Sequence, residues 1–342
     1  MKQFAEYAVE KAVELLNIDS PSGYTKEASE WVFRAFQELG YKTEYTRKGG
    51  VIVDFGGEGN GLLLEAHMDT LGLMVAEIKK DGRLRVTNIG GIFAGTAECG
   101  NVRVRTRSGK VYEGTVQFIN ASMHMNKAAQ EAARTYDNVE VVLDEDVRSA
   151  EDVKKLGIAA GDFVCLEPKT RVTESGYIKS HFLDDKLSVA ILLGFAKYLK
   201  ESGAVLKRHV VAHITVFEEV GHGGSASIPE GITEAISVDM GCVGEGVQCT
   251  ERMVSICAKD AGGPYHYDIV GKLIAAAEKE GAEYAVDLYT FYRSDVETTL
   301  EAGADVCHGL VGPGVYASHG YERSHKDAVL NTLKLLKGYL EV

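Results

Sequence analysis

The run Leu62-Leu63-Leu64-Glu65-Ala66 leads directly into His67-Met68-Asp69. A short, largely apolar run bounded by a glycine turn reads as a strand covered on both faces, the kind found in parallel sheets. Val51 to Phe55 is a second strand, and Gly56-Gly57-Glu58-Gly59 is the turn that separates the two. A His-x-Asp at the carboxyl end of such a strand occupies the position where open α/β sheets carry their sites.

The pattern on either side supports that sheet. Phe4, Ala8, Ala12, Leu15 and Leu16 recur at helical spacing until Asp19-Ser20-Pro21-Ser22-Gly23 breaks the period. A second helix presents Ala28, Trp31, Val32, Ala35, Phe36 and Leu39 on one face and stops at Gly40. Far downstream, a helix over 188–199 is followed by an apolar strand over 210–217, another at 235–238 and a helix over 267–280. Strands alternating with helices predict an α/β sheet. Gly262-Gly263-Pro264 and Gly312-Pro313-Gly314 read as turns.

Between Leu73 and Pro168 the texture changes. Leu84-Arg85-Val86, Val102-Arg103-Val104-Arg105 and Val111 to Phe118 are short alternating strands, separated by Asp81-Gly82, Gly90-Gly91 and Ser108-Gly109 turns. They predict a small antiparallel barrel or sandwich inserted into the larger unit. The expected division is therefore 1–70 and 169–342 for the α/β part, with 71–168 between them.

The composition is that of an ordinary globular chain, with 342 residues, 45% hydrophobic and 25% charged. Lys and Arg total 37 against 50 Asp and Glu, a net charge of -13, which disfavours nucleic acid and anionic membrane surfaces as partners. The six cysteines include no Cys-x-x-Cys pair, so they read as small buried residues of a reducing compartment. Without an apolar leader or a run of roughly 18 apolar residues, the expectation is a soluble cytoplasmic protein.

Five segments carry candidate chemistry. Besides His67 and Asp69, they are Asp184-Asp185 before an apolar helix, Glu218-Glu219 after the strand Ile214-Thr215-Val216-Phe217, Asp239 after Ser237-Val238, and the pair His319 and His325 near the chain end. Each has an ordinary structural explanation: Asp184-Asp185 alone reads as a helix N-cap, and Glu218-Glu219 as a solvated strand end. Together they supply what a divalent metal pair needs to activate water: imidazoles, carboxylates including one to bridge, and a spare carboxylate for the proton. If Glu218 and Glu219 continue the strand, their side chains point to opposite faces, one for metal and one for water.

In this order, His67-x-Asp69, Asp184-Asp185, Glu218-Glu219, Asp239 and His325 resemble the tetrahedral aminopeptidases, a family that includes glutamyl aminopeptidases and proteins once labelled endoglucanases. Gly90-Gly91, the stretch 109–114 and the stretch 156–162 resemble that family's inserted domain, so the likeness spans nearly the whole chain. It implies a three-layer α/β/α metallopeptidase domain with an inserted β-barrel for oligomerisation. It implies two divalent ions, Zn²⁺ or Co²⁺ with Mn²⁺ as a further candidate, held by His67, Asp184, Asp239, Glu219 and His325, with Asp184 bridging. Glu218 would be the general base, Asp69 would orient His67, and Asp185 would support Asp184. His319 is the alternative to His325 as last ligand.

The resemblance further implies removal of N-terminal residues from peptides by a homo-oligomer, a dodecamer built from dimers. The alternative is a dinuclear hydrolase of a small acylated metabolite or dipeptide, which the same metals would serve. A carbohydrate-cleaving protein would need two carboxylates and no metal. The continuation His222-Gly223-Gly224-Ser225 departs from the family's usual Leu-Arg-Gly-like segment.

Overall fold

A computed structural model describes residues 1–342. The four strands Val210–Thr215, Gly61–His67, Ile232–Val238 and Cys307–Tyr316 lie side by side and parallel at the centre of a twelve-stranded sheet. Registers Thr215↔His67 and Val238↔Val311 bring their carboxyl ends to one rim. Antiparallel strands flank this core: Lys42–Tyr45 and Val51–Gly56 on one side, Glu322–His325 and Tyr177–Ser180 on the other.

Successive residues of a strand face opposite sides of its sheet. Leu62, Leu64, Ala212 and Ile236 pack into the main core with helices Lys2–Leu16, Leu183–Ser202 and Lys326–Leu340. Leu63, Val211, Ala235 and Leu310 face the other way, onto Val296 of the helix Asp295–Glu301 and onto Tyr265 and Tyr289. Helices thus cover both faces. Full burial of each Leu is worth about 1.5–3 kcal/mol.

The inserted segment closes into a six-stranded barrel in the order Gly72–Ile78, Leu84–Ile89, Val139–Leu143, Val111–Phe118, Asn101–Arg105, Phe163–Leu166. Closure leaves no unpaired sheet edge and resolves the choice between barrel and sandwich. Arg103 and Arg105 of the barrel both grip Asp19, the buried acid that follows the first helix.

Two local expectations change. The apolar strand stops at Thr215 rather than Phe217, because Phe217 turns to φ +72 and the chain enters a 3₁₀ turn over Glu218–Val220. Gly312-Pro313-Gly314 is the interior of the strand Cys307–Tyr316. Its glycine is required there, since a Cβ on Gly312 would lie 1.8 Å from the carbonyl oxygen of Asp239. No helix is long and apolar enough to cross a membrane.

Candidate active site

His67 is the last residue of its strand and is 2% exposed. Its Nδ1 lies 3.0 Å from the main-chain oxygen of Asp69, to which it donates, leaving Nε2 to face Asp184 Oδ1 at 3.2 Å and Glu218 Oε2 at 3.7 Å. The Asp69 carboxylate stands 3.6 Å from Nδ1 and does other work. It accepts the Ser22 hydroxyl and the main-chain N–H groups of Glu218 at 3.1 Å and Glu219 at 3.4 Å. Asp69 therefore fixes His67 through its backbone and the Glu218–Glu219 turn through its side chain.

Asp184 and Asp185 begin the helix Leu183–Ser202 in non-helical conformations, joined by a cis peptide bond. The helix has no side-chain cap, so these acids do not serve the N-terminus. Asp185 Oδ2 accepts the His67 N–H at 3.3 Å. Donor atoms of His67, Asp184 and Glu219 lie within 4.8 Å of one another, as do those of His67, Asp185 and Asp239. Asp185 is thus as close to the cluster as the acids singled out as ligands.

Of the two late histidines, His319 faces this cluster. Its Nε2 lies 3.6 Å from Glu219 Oε2 and 3.7 Å from Asp184 Oδ2, while Nδ1 is 3.3 Å from Gly91 O. His325 does not reach the site. It caps the helix Lys326–Leu340 by accepting the Asp327 N–H at Nδ1, 3.0 Å away, and its Nε2 is used by Ser175 O at 2.8 Å. Five residues separate the two histidines, and the second lies on the antiparallel strand Glu322–His325 that leads away from the rim.

Glu322, between those histidines, has a position the sequence reading missed. It is 2% exposed and accepts the main-chain N–H of Asp184 at 3.1 Å and of His319 at 2.9 Å, tying the two segments together. Its signal was a lone acid inside the quoted segment, which spacing alone does not distinguish from a surface residue. The barrel also enters the site. A Cβ on Gly91 would lie 2.7 Å from His319 Nδ1, and one on Gly90 would lie 3.1 Å from Glu219 O, so both glycines are there for close approach.

Comparison with known proteins decides the family. The model of M42 glutamyl aminopeptidases matches residues 49–335. The chain belongs to the M42 glutamyl aminopeptidase family. It is 42% identical over 330 residues to the Bacillus subtilis protein YhfE, which carries a provisional aminopeptidase name, covering 96% of this chain and 95% of that one. An aminopeptidase of Desulfurococcus kamchatkensis shares the fold with a TM-score of 0.87 at 24% identity, covering 98% of this chain and 95% of that one. The TET1 peptidase of Pyrococcus horikoshii, described as assembling into a tetrahedron or a large octahedral shell, has a TM-score of 0.84 at 23% identity, covering 97% and 98%.

In this M42 chain the cluster crowds buried carboxylates around two histidines. Burial pushes the carboxyls of Glu218 and Glu219 well above the usual range, and neighbouring carboxylates push them further. Asp239 is raised to about 8, first by burial and then by Asp184. Burial would lower His67, but Asp184, Glu218, Asp239 and Asp69 together hold it well above an ordinary histidine. Burial would raise Asp184, yet its bond to His67 keeps it low. Two buried oxygens, Glu219 Oε1 and Asp185 Oδ1, have no hydrogen-bond partner. Imidazole Nε2 atoms gathered with buried carboxylates, some of whose oxygens have no partner, are the donor types that divalent cations take.

The cluster opens into a cleft of about 790 Å³. Phe93 of the barrel segment, Met240, Leu288, Phe291 and Tyr292 form its apolar wall. A cleft of this size exceeds what one amino acid needs and admits an extended peptide end.

Proposed function

We propose that this M42 chain is a two-metal aminopeptidase. His67, Asp239 and Asp184 would hold one ion and Asp184, Glu219 and His319 the other, with Asp184 bridging; Zn²⁺ or Co²⁺ suits the mixed imidazole and carboxylate set. Bound there, the ions would supply Lewis acidity, polarising the scissile carbonyl and acidifying water. The observation that carries this reading is the convergence of His67, Asp184, Glu219, Asp239 and His319 at the carboxyl rim of the parallel strands, with the Glu218 carboxylate beside them.

Glu218 is the general base. It takes the proton of the attacking water and passes it to the leaving amine nitrogen, so the free carboxylate is regenerated in each turnover. Asp69 keeps that carboxylate in place through the Glu218 N–H, and Glu322 keeps Asp184 and His319 in register. The N-terminal residue of a peptide would lie in the cleft with its amino group towards the acidic cluster. We also propose a homo-oligomer, a dodecamer built from dimers in which the barrel makes contacts between copies, on the strength of the shell-forming structural neighbour.

Glu218→Gln tests the assignment. Turnover of aminoacyl p-nitroanilides should fall about 10²–10⁴-fold, the size of a general-base effect, while bound metal per chain stays at the unsubstituted level. Retained turnover would remove Glu218 from the role.

A further inference from the structure

A second cleft, of about 910 Å³, opens where the barrel meets the sheet. Lys169 and Arg171 reach it just after the last barrel strand, Lys179 and His181 from the segment before the helix Leu183–Ser202, and Tyr321 from two residues beyond His319. None of the three cations is in an ion pair with a carboxylate of the chain. In a chain with 50 acids and 37 bases, this concavity gathers three cations against a single acid. The one acid of the wall, Glu167, already accepts from Asn101 Nδ2 at 2.9 Å.

The wall is built rather than loose. Lys169 sits at φ +53, a conformation costing a non-glycine residue about 1–2 kcal/mol, and the Tyr321 hydroxyl holds its carbonyl oxygen at 2.8 Å. His181 is buried, stands edge-on to the Tyr321 ring at 5.4 Å, and donates from Nδ1 to Gly320 O at 2.6 Å. Like charges gathered in a concave wall repel one another and focus a positive field into the cleft, which an anion relieves. The His181–Gly320 bond also ties this wall to the residue next to His319, at the edge of the acidic cluster.

We propose that the cleft binds a carboxylate of the peptide substrate downstream of the scissile bond, in the simplest case the C-terminal carboxylate of a short peptide. This rests on the aminopeptidase reading above. The oxyanion chemistry is shared with free anions such as phosphate, but the bond from His181 to Gly320, the residue next to His319, favours the substrate.

The test uses metal-loaded enzyme and leucyl-oligoglycine peptides of increasing length, each as free acid and C-terminal amide. The free acid is expected to have a KM lower by about tenfold at the best length, the scale of one charge-assisted contact, and the advantage should shrink as salt is raised. The triple variant Lys169→Gln, Arg171→Gln, Lys179→Gln should abolish the preference by raising KM for the acid alone. Absence of any preference in the unsubstituted enzyme overturns the proposal without recourse to the variant, as does a preference that survives the triple substitution. Equal losses on acid and amide with a change in sedimentation would instead make the cleft a contact between copies. Inorganic phosphate altering amide turnover, with no acid preference, would assign the cleft to a free anion. If none of the peptides is cleaved, the aminopeptidase reading falls and this one with it; cleavage without preference removes this one alone.

Discussion

At the residue scale, His319 and His325 divide the work that spacing left open between them. The sequence showed two histidines in one segment, and nothing in their spacing says which one turns towards a cluster assembled from segments far upstream in the chain. His319 sits at φ +62 and faces Glu219 and Asp184, while His325 caps a helix. His319→Ala should therefore lower metal per chain and remove most peptide turnover. His325→Ala should keep its metal and lose about 1 kcal/mol of stability, the usual worth of an N-cap. Metal analysis of both purified variants together with thermal unfolding checks this; metal loss in His325→Ala alone would reverse the assignment. His67, Asp69, Asp184, Glu218, Glu219 and Asp239 could be singled out from the sequence because each lies at or shortly after the end of an apolar strand pattern or at the start of a helix. Glu322 was not, because it acts through main-chain N–H groups of residues far apart in sequence.

At the scale of elements, the parallel strands and helices were legible from period and length, as the helix Tyr267–Glu280 illustrates. The Glu218–Glu219 turn was not, because its 3₁₀ geometry depends on Asp69 accepting both main-chain N–H groups from another strand. The barrel's attachment is also tertiary, through Asp19 and its two arginines. Burial would raise the Asp19 carboxyl, but Arg103 and Arg105 hold it below its ordinary value. A carboxyl depressed by folding contributes stability above its unfolded pKa of about 3.9 and loses it as pH falls through the folded value. Asp19→Asn should therefore cost about 1.5–3 kcal/mol near neutral pH. That deficit should narrow steadily as pH drops below about 4, because the unfolded carboxyl takes up its proton first and the depressed native one only at lower pH. Denaturant melts across this range check it, and a pH-independent deficit would mean that the arginines are not the cause.

At the scale of the molecule, the chain's acidity and its inserted barrel were legible, whereas association was carried only by likeness to an assembling family. Met125 is 81% exposed and Met123 47% exposed, both in the segment linking the barrel strands Val111–Phe118 and Val139–Leu143. Large apolar side chains left to solvent at a barrel's edge fit a surface that a second copy covers. Light scattering of the purified protein should give a particle many times heavier than the 37.0 kDa chain. A monomer at working concentration would contradict the oligomer.

The proposed two-metal site is tested most directly by stripping the protein with a chelator and titrating Zn²⁺ or Co²⁺ back while following both bound metal and hydrolysis of leucyl p-nitroanilide. The site geometry predicts an inactive apoprotein that recovers turnover as the second equivalent per chain binds. Undiminished hydrolysis by metal-free protein, or full recovery at saturation with a single ion per chain, would contradict it.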